Sequence, residues 1–166
     1  GESWGDKAQY KYWPTTNYSA LAHLFLKDTL TRIILVGSLD DQKICEMVFL
    51  KIDSSVKDKV INIAGMTSIS QLAALMKFSK LIVGTESGPL HLSTALDRPS
   101  LFIFGPVDST SYGPFSQSKK QIALTHPTPC HPCYERFRIF DCENRICLRN
   151  LSPTLVFEKG KALVMG

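Results

Sequence analysis

The stretch VGTESGPLHLSTAL, residues 83–96, gathers the side chains with the clearest chemical use. Glu86 offers a carboxylate, Ser87 a hydroxyl, Gly88 a bare backbone and His91 an imidazole. They follow an apolar run and open a helical pattern, so they stand where a strand hands over to a helix. A helix start leaves its first N–H groups unpaired and carries roughly half a positive charge, which suits an anion. Gly88 lets a phosphate approach those N–H groups without a Cβ in the way, and Ser87 adds a donor. Pro89 fixes the turn at the loss of one N–H. His91, about one turn further along, can donate to the same anion or to a sugar oxygen, while Glu86 can accept from ligand hydroxyls. The same residues also make an ordinary helix start. Ser87 is then an N-cap worth about 1 kcal/mol, Glu86 complements the helix dipole, and His91 is a satisfied core histidine.

The elements that must position these groups alternate along the chain. NYSALAHLFLKDT reads as a helix with Tyr18, Leu21, Ala22 and Phe25 on one stripe, and RIILVG (32–37) as a short strand closed by glycine. A helix within 41–53 and the strand KVINIAG (59–65) follow. Ser68 and Gln71 form a capping box before the apolar pattern Ile69, Leu72, Ala73, Leu75 and Met76. KLIVG (80–84) is a strand, GPLHLSTALD a helix, and SLFIFG (100–105) a strand without polar alternation beyond its first residue. Continuously apolar strands that alternate with helices predict an α/β fold, a Rossmann-like doubly wound parallel sheet covered on both faces. Ligands bind such sheets at the carboxyl edge of the strands, where Glu86 to His91 fall. Residues 106–150 read as irregular and rich in Pro and Cys, and SPTLVFEKGKALV as a last helix with Ser152 as N-cap and Pro153 at its first position. The polar residues 1–12 precede no strand, so an opening strand is expected upstream, and the chain starts at Gly1 without an initiator methionine.

With 166 residues, 44% hydrophobic and 20% charged, the chain is expected to form one globular domain. A net charge of +4 suits an anionic small molecule and falls short of a nucleic-acid footprint. Four of the five cysteines lie at Cys130, Cys133, Cys142 and Cys147, inside a Cys-rich loop at 126–150. They can be read as a structural zinc site, with His126 and His131 as substitutes, as packed reduced thiols, or as disulfides. Cys45, alone in a helical pattern, reads as a small buried hydrophobe. Arg136, Arg138, Arg145 and Arg149 interleave with Phe137 and Phe140, but Glu135, Asp141 and Glu143 dilute the charge, which reads as a solvated loop or one facing anionic lipid.

VGTESGPLHLSTALDRPSLFIFGP resembles the signature of glycosyltransferase family 9, the lipopolysaccharide heptosyltransferases. That pattern is Asp-Ser/Thr-Gly, a His three residues after the glycine, a small-residue helix, a proline, an apolar strand and Phe-Gly-Pro. It falls here on Glu86, Ser87, Gly88, His91, Pro99 and Phe104-Gly105-Pro106, and the family's Lys-x-Trp-Pro falls on Lys11-Tyr12-Trp13-Pro14. The resemblance implies one half of a GT-B glycosyltransferase: residues 1–166 as the C-terminal nucleotide-sugar-binding domain, with Gly1-Glu2-Ser3 at a phosphate-facing loop. The acceptor domain and the catalytic base would lie elsewhere, so no catalytic residue is expected in this chain. Lys11 would neutralise the diphosphate or touch the sugar, Ser87, Gly88 and His91 would hold phosphate, Glu86 would bind sugar hydroxyls, and Thr67 would lie near adenine. Read without the resemblance, Lys11 is an exposed surface lysine. The implied donor is an ADP-sugar, usually ADP-heptose, with no cofactor required. The implied acceptor is the lipopolysaccharide core, reached through the other domain at the cytoplasmic face of the bacterial inner membrane, with peripheral membrane association. Glu86 departs from the family's usual Asp, and its extra methylene moves the carboxylate.

Overall fold

The computed structural model describes residues 10–116, 118–135, 138–139 and 141–165. Gly1-Glu2-Ser3, Arg136, Phe137 and Phe140 lie outside the described residues. The elements run α1 (Thr15–Leu26), β1 (Ile33–Leu35), α2 (Gln42–Leu50), a 3-10 segment (Ser54–Lys59), β2 (Val60–Asn62), α3 (Ile69–Phe78), β3 (Ile82–Thr85), α4 (Gly88–Ala95) and β4 (Ser100–Ile103). They continue with α5 (Ser109–Tyr112), β5 (Gln121–Leu124), the hairpin strands β6 (Tyr134–Glu135) and β7 (Arg138–Ile139), α6 (Ile146–Arg149) and α7 (Pro153–Met165).

The parallel sheet is present in two parts among the described residues. β1 pairs with β2, and β3, β4 and β5 pair in that order, all parallel. β4 is buried along its whole length, as a central strand covered on both faces must be. Its Leu101 and Ile103 pack with Trp13, Leu21, Leu148 and Val156 on one side, while Phe102 packs with Leu90 and Phe104 on the other. α1 spans the two parts of the sheet: Ala22 and Leu26 join Ile33, Leu35 and Val60, and Leu21 joins the β4 cluster.

Local sequence signals set several boundaries. The capping box of α3 forms, with Ser68 and Gln71 satisfying each other's backbone N–H groups. Ser152 caps α7, its hydroxyl accepting from Thr154 N at 3.2 Å. Gly84 does not end β3, which continues to Thr85. Its lack of a side chain serves packing instead, since a Cβ there would stand 2.8 Å from Leu90 Cδ1 on α4. Gly65 does turn the chain after β2, at φ +75°.

Residues 106–150 are not irregular throughout. β5 adds to the edge of β4, with Ser100 opposite Gln121 and Ile103 opposite Leu124. Four residues with little alternation carry almost no local signal, and the strand exists because its neighbour offers a ladder. The cysteine segment is tied to the sheet through Pro106, whose carbonyl accepts from Cys133 N and Tyr134 N, both at 3.0 Å. His131 Nε2 stands 3.2 Å from Val107 O.

Candidate functional site

The loops after β1, β2, β3 and β4 open at one edge, and the side chains of interest collect at the β3–α4 turn. Glu86 extends the β3–β4 ladder, its N–H donating to Ile103 O at 3.1 Å. Its side chain is buried, yet it is a carboxylate, so it needs partners. It has two. Lys11 Nζ forms an ion pair with Glu86 Oε2, and His91 Nε2 lies 3.5 Å from Glu86 Oε1. The groups that stand 75 and 5 residues away in sequence thus meet on one carboxylate.

Each partner is fixed by its own packing. Lys11 precedes Trp13, which is 1% exposed, anchors its Nε1–H on Leu151 O at 3.2 Å, and meets Tyr18 edge-on at 4.9 Å. Pro14 then starts α1, its carbonyl accepting from Asn17 N and Tyr18 N. The lysine is therefore delivered by a core tryptophan and is not the exposed surface lysine of the local reading; its side chain is 17% exposed. His91 is held by the edge of Phe102 at 5.6 Å and by the parallel ring of Phe115 at 6.1 Å.

Ser87 is the N-cap residue of α4, but its side chain makes no capping hydrogen bond. The N–H groups of Leu90 and His91 turn back onto the Ser87 carbonyl at 3.0 and 3.4 Å and Pro89 has none, so the Gly88 N–H and the Ser87 hydroxyl are what this helix start offers another acceptor. Gly88 is exposed, and a Cβ on it would meet nothing within 4 Å. No protein contact requires glycine here; the space in front of it is open to a ligand. Thr67 lies on the loop between β2 and α3 at the same edge, half-buried. The structure brings Lys11 and His91 together on the Glu86 carboxylate.

Further residues border this site without a motif to announce them. Tyr134, on β6, has its phenol pushed up first by burial, then by Tyr112 and by the Glu86 carboxylate, which places it in the field of the site. Tyr112 meets it ring to ring at 5.9 Å. Tyr12 donates its hydroxyl to Asp41 Oδ1 at 3.3 Å, and burial raises its phenol. Asp41 Oδ2 accepts from Ser38 N at 2.8 Å and Ser38 Oγ at 2.7 Å, so the lysine-bearing segment is pinned to the loop after β1. None of these pairs is close in sequence to the residue it serves, apart from Tyr12 beside Lys11.

The cysteines are all free thiols. Among the described residues no three His, Cys, Asp or Glu side chains are grouped so that they hold a metal ion. Cys130 is exposed, whereas Cys133, Cys142 and Cys147 are half-buried. Burial pushes Cys147 up to about 11, with added repulsion from Cys133, Cys142 and Cys130. Cys142 Sγ accepts from Arg145 N at 3.3 Å. Cys45 sits half-buried on α2, and burial raises it to about 11 as well. Among the described residues no helix is long and apolar enough to cross a membrane.

Comparison with known proteins identifies the family and the fold. Residues 4–143 match the model of glycosyltransferase family 9 (heptosyltransferase). The lipooligosaccharide heptosyltransferase 2 of Haemophilus ducreyi is 34% identical over 116 residues, 69% of this chain and 33% of that protein. The lipopolysaccharide heptosyltransferase 2 of Salmonella typhimurium is 30% identical over 114 residues, 69% of this chain and 32% of that protein. Among solved structures, ADP-heptose lps heptosyltransferase II of E. coli superposes with a TM-score of 0.76 at 25% identity, covering 93% of this chain and 42% of its own. E. coli heptosyltransferase WaaC with ADP has the same fold at a TM-score of 0.70 and 21% identity, covering 96% of this chain and 42% of its own. The chain thus spans between a third and a half of the length of such relatives. With residues 4–143 matched by the family's model, the chain belongs to glycosyltransferase family 9.

Proposed function

We propose that this chain is the nucleotide-sugar-binding half of a heptosyltransferase-like enzyme, and that it binds an ADP-sugar at the carboxyl edge around Lys11, Glu86, Ser87, Gly88 and His91. The observation that carries the reading is the buried Glu86 carboxylate between Lys11 and His91, beside a helix start whose serine makes no cap. In transfer to an acceptor, the leaving group is a nucleoside diphosphate, and negative charge grows on its bridging oxygen as the glycosidic bond breaks. The Gly88 N–H at the positive end of α4 and the Ser87 hydroxyl supply donors fixed before the reaction, and the Lys11 ammonium adds positive charge beside them, an arrangement that lowers such a barrier. With that positive field in place, donor binding is proposed to need no divalent cation. Glu86 accepts from sugar hydroxyls, and in doing so exchanges part of its contact with Lys11, freeing the ammonium to turn toward phosphate. Thr67, on the neighbouring loop, is assigned to the adenine end.

The base that deprotonates the acceptor is assigned to a partner domain outside this chain, together with the lipopolysaccharide-core acceptor and peripheral contact with the inner face of the inner membrane. This chain alone should bind donor and not turn it over. Calorimetric titration with ADP, UDP and ADP-heptose tests the reading, repeated on Lys11→Ala, Ser87→Ala and Glu86→Ala. ADP selectivity that weakens in the Lys11 and Ser87 variants, with an added gain from heptose that disappears with Glu86, is expected. Equal binding of UDP, or sugar transfer by this chain alone, would overturn it.

A further inference from the structure

The edge of the sheet opposite the donor site carries the chain's positive charge. Residues 27–32, 50–59, 77–80, 96–99 and 118–120 lead into β1 to β5 at that edge. They hold ten Lys or Arg and four Asp or Glu, a net charge of +6. The whole chain carries +4, so the remaining residues together sum to −2. Cations that follow α1, α2 and α3 complement the negative ends of those helices. That accounts for Lys27, Lys51 and Lys77, but not for Lys119 and Lys120, which end no helix.

The five segments lie side by side. Arg98 Nη2 donates to Ser79 O at 2.7 Å and Ser100 N to Lys120 O at 2.8 Å, which joins the three that lead into β3, β4 and β5. Near the end of α1, Asp53 N donates to His23 Nε2 at 3.0 Å, which joins the other two. A Cβ on Gly160 would stand 2.7 Å from Leu81 Cδ2 and 3.1 Å from Phe25 Cζ. The end of α1 and the start of β3 thus meet the same point of α7, and the two groups form one edge.

This cationic edge also bears the two most exposed large apolar side chains among the described residues, Leu30 at 88% and Phe78 at 87%. Leu30 stands between Lys27 and Arg32, and Phe78 between Lys77 and Lys80. α1 packs on the face of β4 that presents Leu101 and Ile103, while α3 packs on α4, which covers the Phe102 face. The two apolar tips therefore flank the edge from opposite faces of the sheet. One exposed leucine needs no explanation. Two bare apolar tips set among lysines have the make-up of a surface that lies in a lipid interface.

We infer that this edge docks on an anionic lipid surface, with its cations at the headgroups and Leu30 and Phe78 reaching the acyl boundary. A polyanion in solution would use the charge and leave both tips in water. A folded acidic protein would need two pockets matched to the spacing of the tips, whereas a fluid interface accommodates any spacing. The contact is made by this chain itself, beyond the one assigned to the partner domain, and it leaves the donor edge open to ADP.

The test is flotation of the purified chain with vesicles of phosphatidylcholine alone and of phosphatidylcholine with phosphatidylglycerol. Binding is expected only to the anionic vesicles. It should weaken about ten-fold or more as salt rises from about 0.1 to 1 M, where the screening length falls from about 10 to 3 Å. Lys77→Gln with Lys80→Gln should weaken it about ten-fold or more at the lower salt. Lys43→Gln with Arg149→Gln removes two exposed cations near the starts of α2 and α1, and should change it less than about two-fold. Leu30→Ser with Phe78→Ser should weaken it about five-fold or more and leave its salt dependence in place. All these side chains are exposed, so the variants are expected to fold and to bind ADP within about two-fold of the parent. No flotation with anionic vesicles, equal flotation with neutral ones, an equal loss in the Lys43 and Arg149 pair, or no effect of the Leu30 and Phe78 pair would each overturn the lipid surface. Binding of polyglutamate or a single-stranded oligonucleotide as tightly as vesicles would assign the edge to a soluble polyanion and overturn it too. Failure to bind ADP with flotation intact would sink the donor reading and leave this one standing.

Discussion

Lys11→Met tests the central electrostatic claim most directly. The side chains of Lys11 and Glu86 are 17% and 10% exposed, so their ion pair is closer to a buried bridge than to a surface one. Breaking a fully buried pair by deleting one partner costs about 3–5 kcal/mol, because the other charge is left without compensation. An exposed pair contributes about 0–1 kcal/mol. The lysine keeps some water, and His91 remains 3.5 Å from the other carboxylate oxygen, so part of the loss is covered. A destabilisation of about 2–3 kcal/mol is therefore expected. For a chain of this length that is a fall of roughly 4–12 °C in melting temperature. The reverse change, Glu86→Gln, leaves the lysine on a long flexible stem that can reach solvent, so its cost should be smaller, about 1 kcal/mol. Urea unfolding of the two single variants and the double variant gives the coupling, expected to be at least about 1.5 kcal/mol. If Lys11→Met costs less than about 0.5 kcal/mol and the coupling is indistinguishable from zero, the pair behaves as a surface bridge and the argument from burial is wrong.

Four other outcomes follow from the same geometry. Cys45 and Cys147 are held up to about 11 by burial, above the 9.0 of an unshielded thiol, so the folded chain keeps protons that the unfolded chain releases. The stability these two thiols contribute should be constant below about pH 9 and be lost as the pH rises toward 11, and Cys45→Ala with Cys147→Ala should flatten that slope in urea titrations. The thiol order tests the same burial independently: a disulfide reagent near pH 8 should modify exposed Cys130 well before Cys45 and Cys147, and equal rates would contradict it. Gly84→Val should displace α4, because even a Cβ would stand 2.8 Å from Leu90 Cδ1. A loss of about 1–3 kcal/mol is expected, together with weaker ADP binding than a surface variant of equal stability shows, since the helix start moves with Leu90. Trp13→Ala removes a side chain that is 1% exposed and should cost about 3–5 kcal/mol; a conservative Trp13→Phe, which keeps the ring but loses the bond to Leu151, should retain the fold and misplace Lys11, seen as lost ADP affinity at near-normal stability.

The sequence by itself determined the alternation of elements and most of their order. Apolar runs and helical stripes are local patterns, so β1 to β4, α1, α3, α4 and α7 are legible from short windows, and the capping box at Ser68 and the cap at Ser152 need only their neighbours. The family signature likewise placed Glu86, Ser87, Gly88 and His91 at one turn. β5 was hidden within a segment that reads as irregular, because an edge strand of four residues is stabilised by the ladder it joins and not by its own composition.

Only the tertiary structure decided what the site residues do to one another. From local pattern Lys11 is a surface lysine; Trp13 buried against Leu151 turns it onto Glu86 across 75 residues of chain. Serine at the start of a helix ordinarily caps it, and whether Ser87 does so depends on a rotamer that the surrounding backbone sets. The roles of Tyr134 and Tyr112 rest on the hairpin docking through Pro106, which also ties down Cys133, and no metal-binding group forms among the described residues. Charge, burial and distance are properties of pairs brought together by folding. Spacing along the chain limits which pairs can meet, and packing decides which of them do.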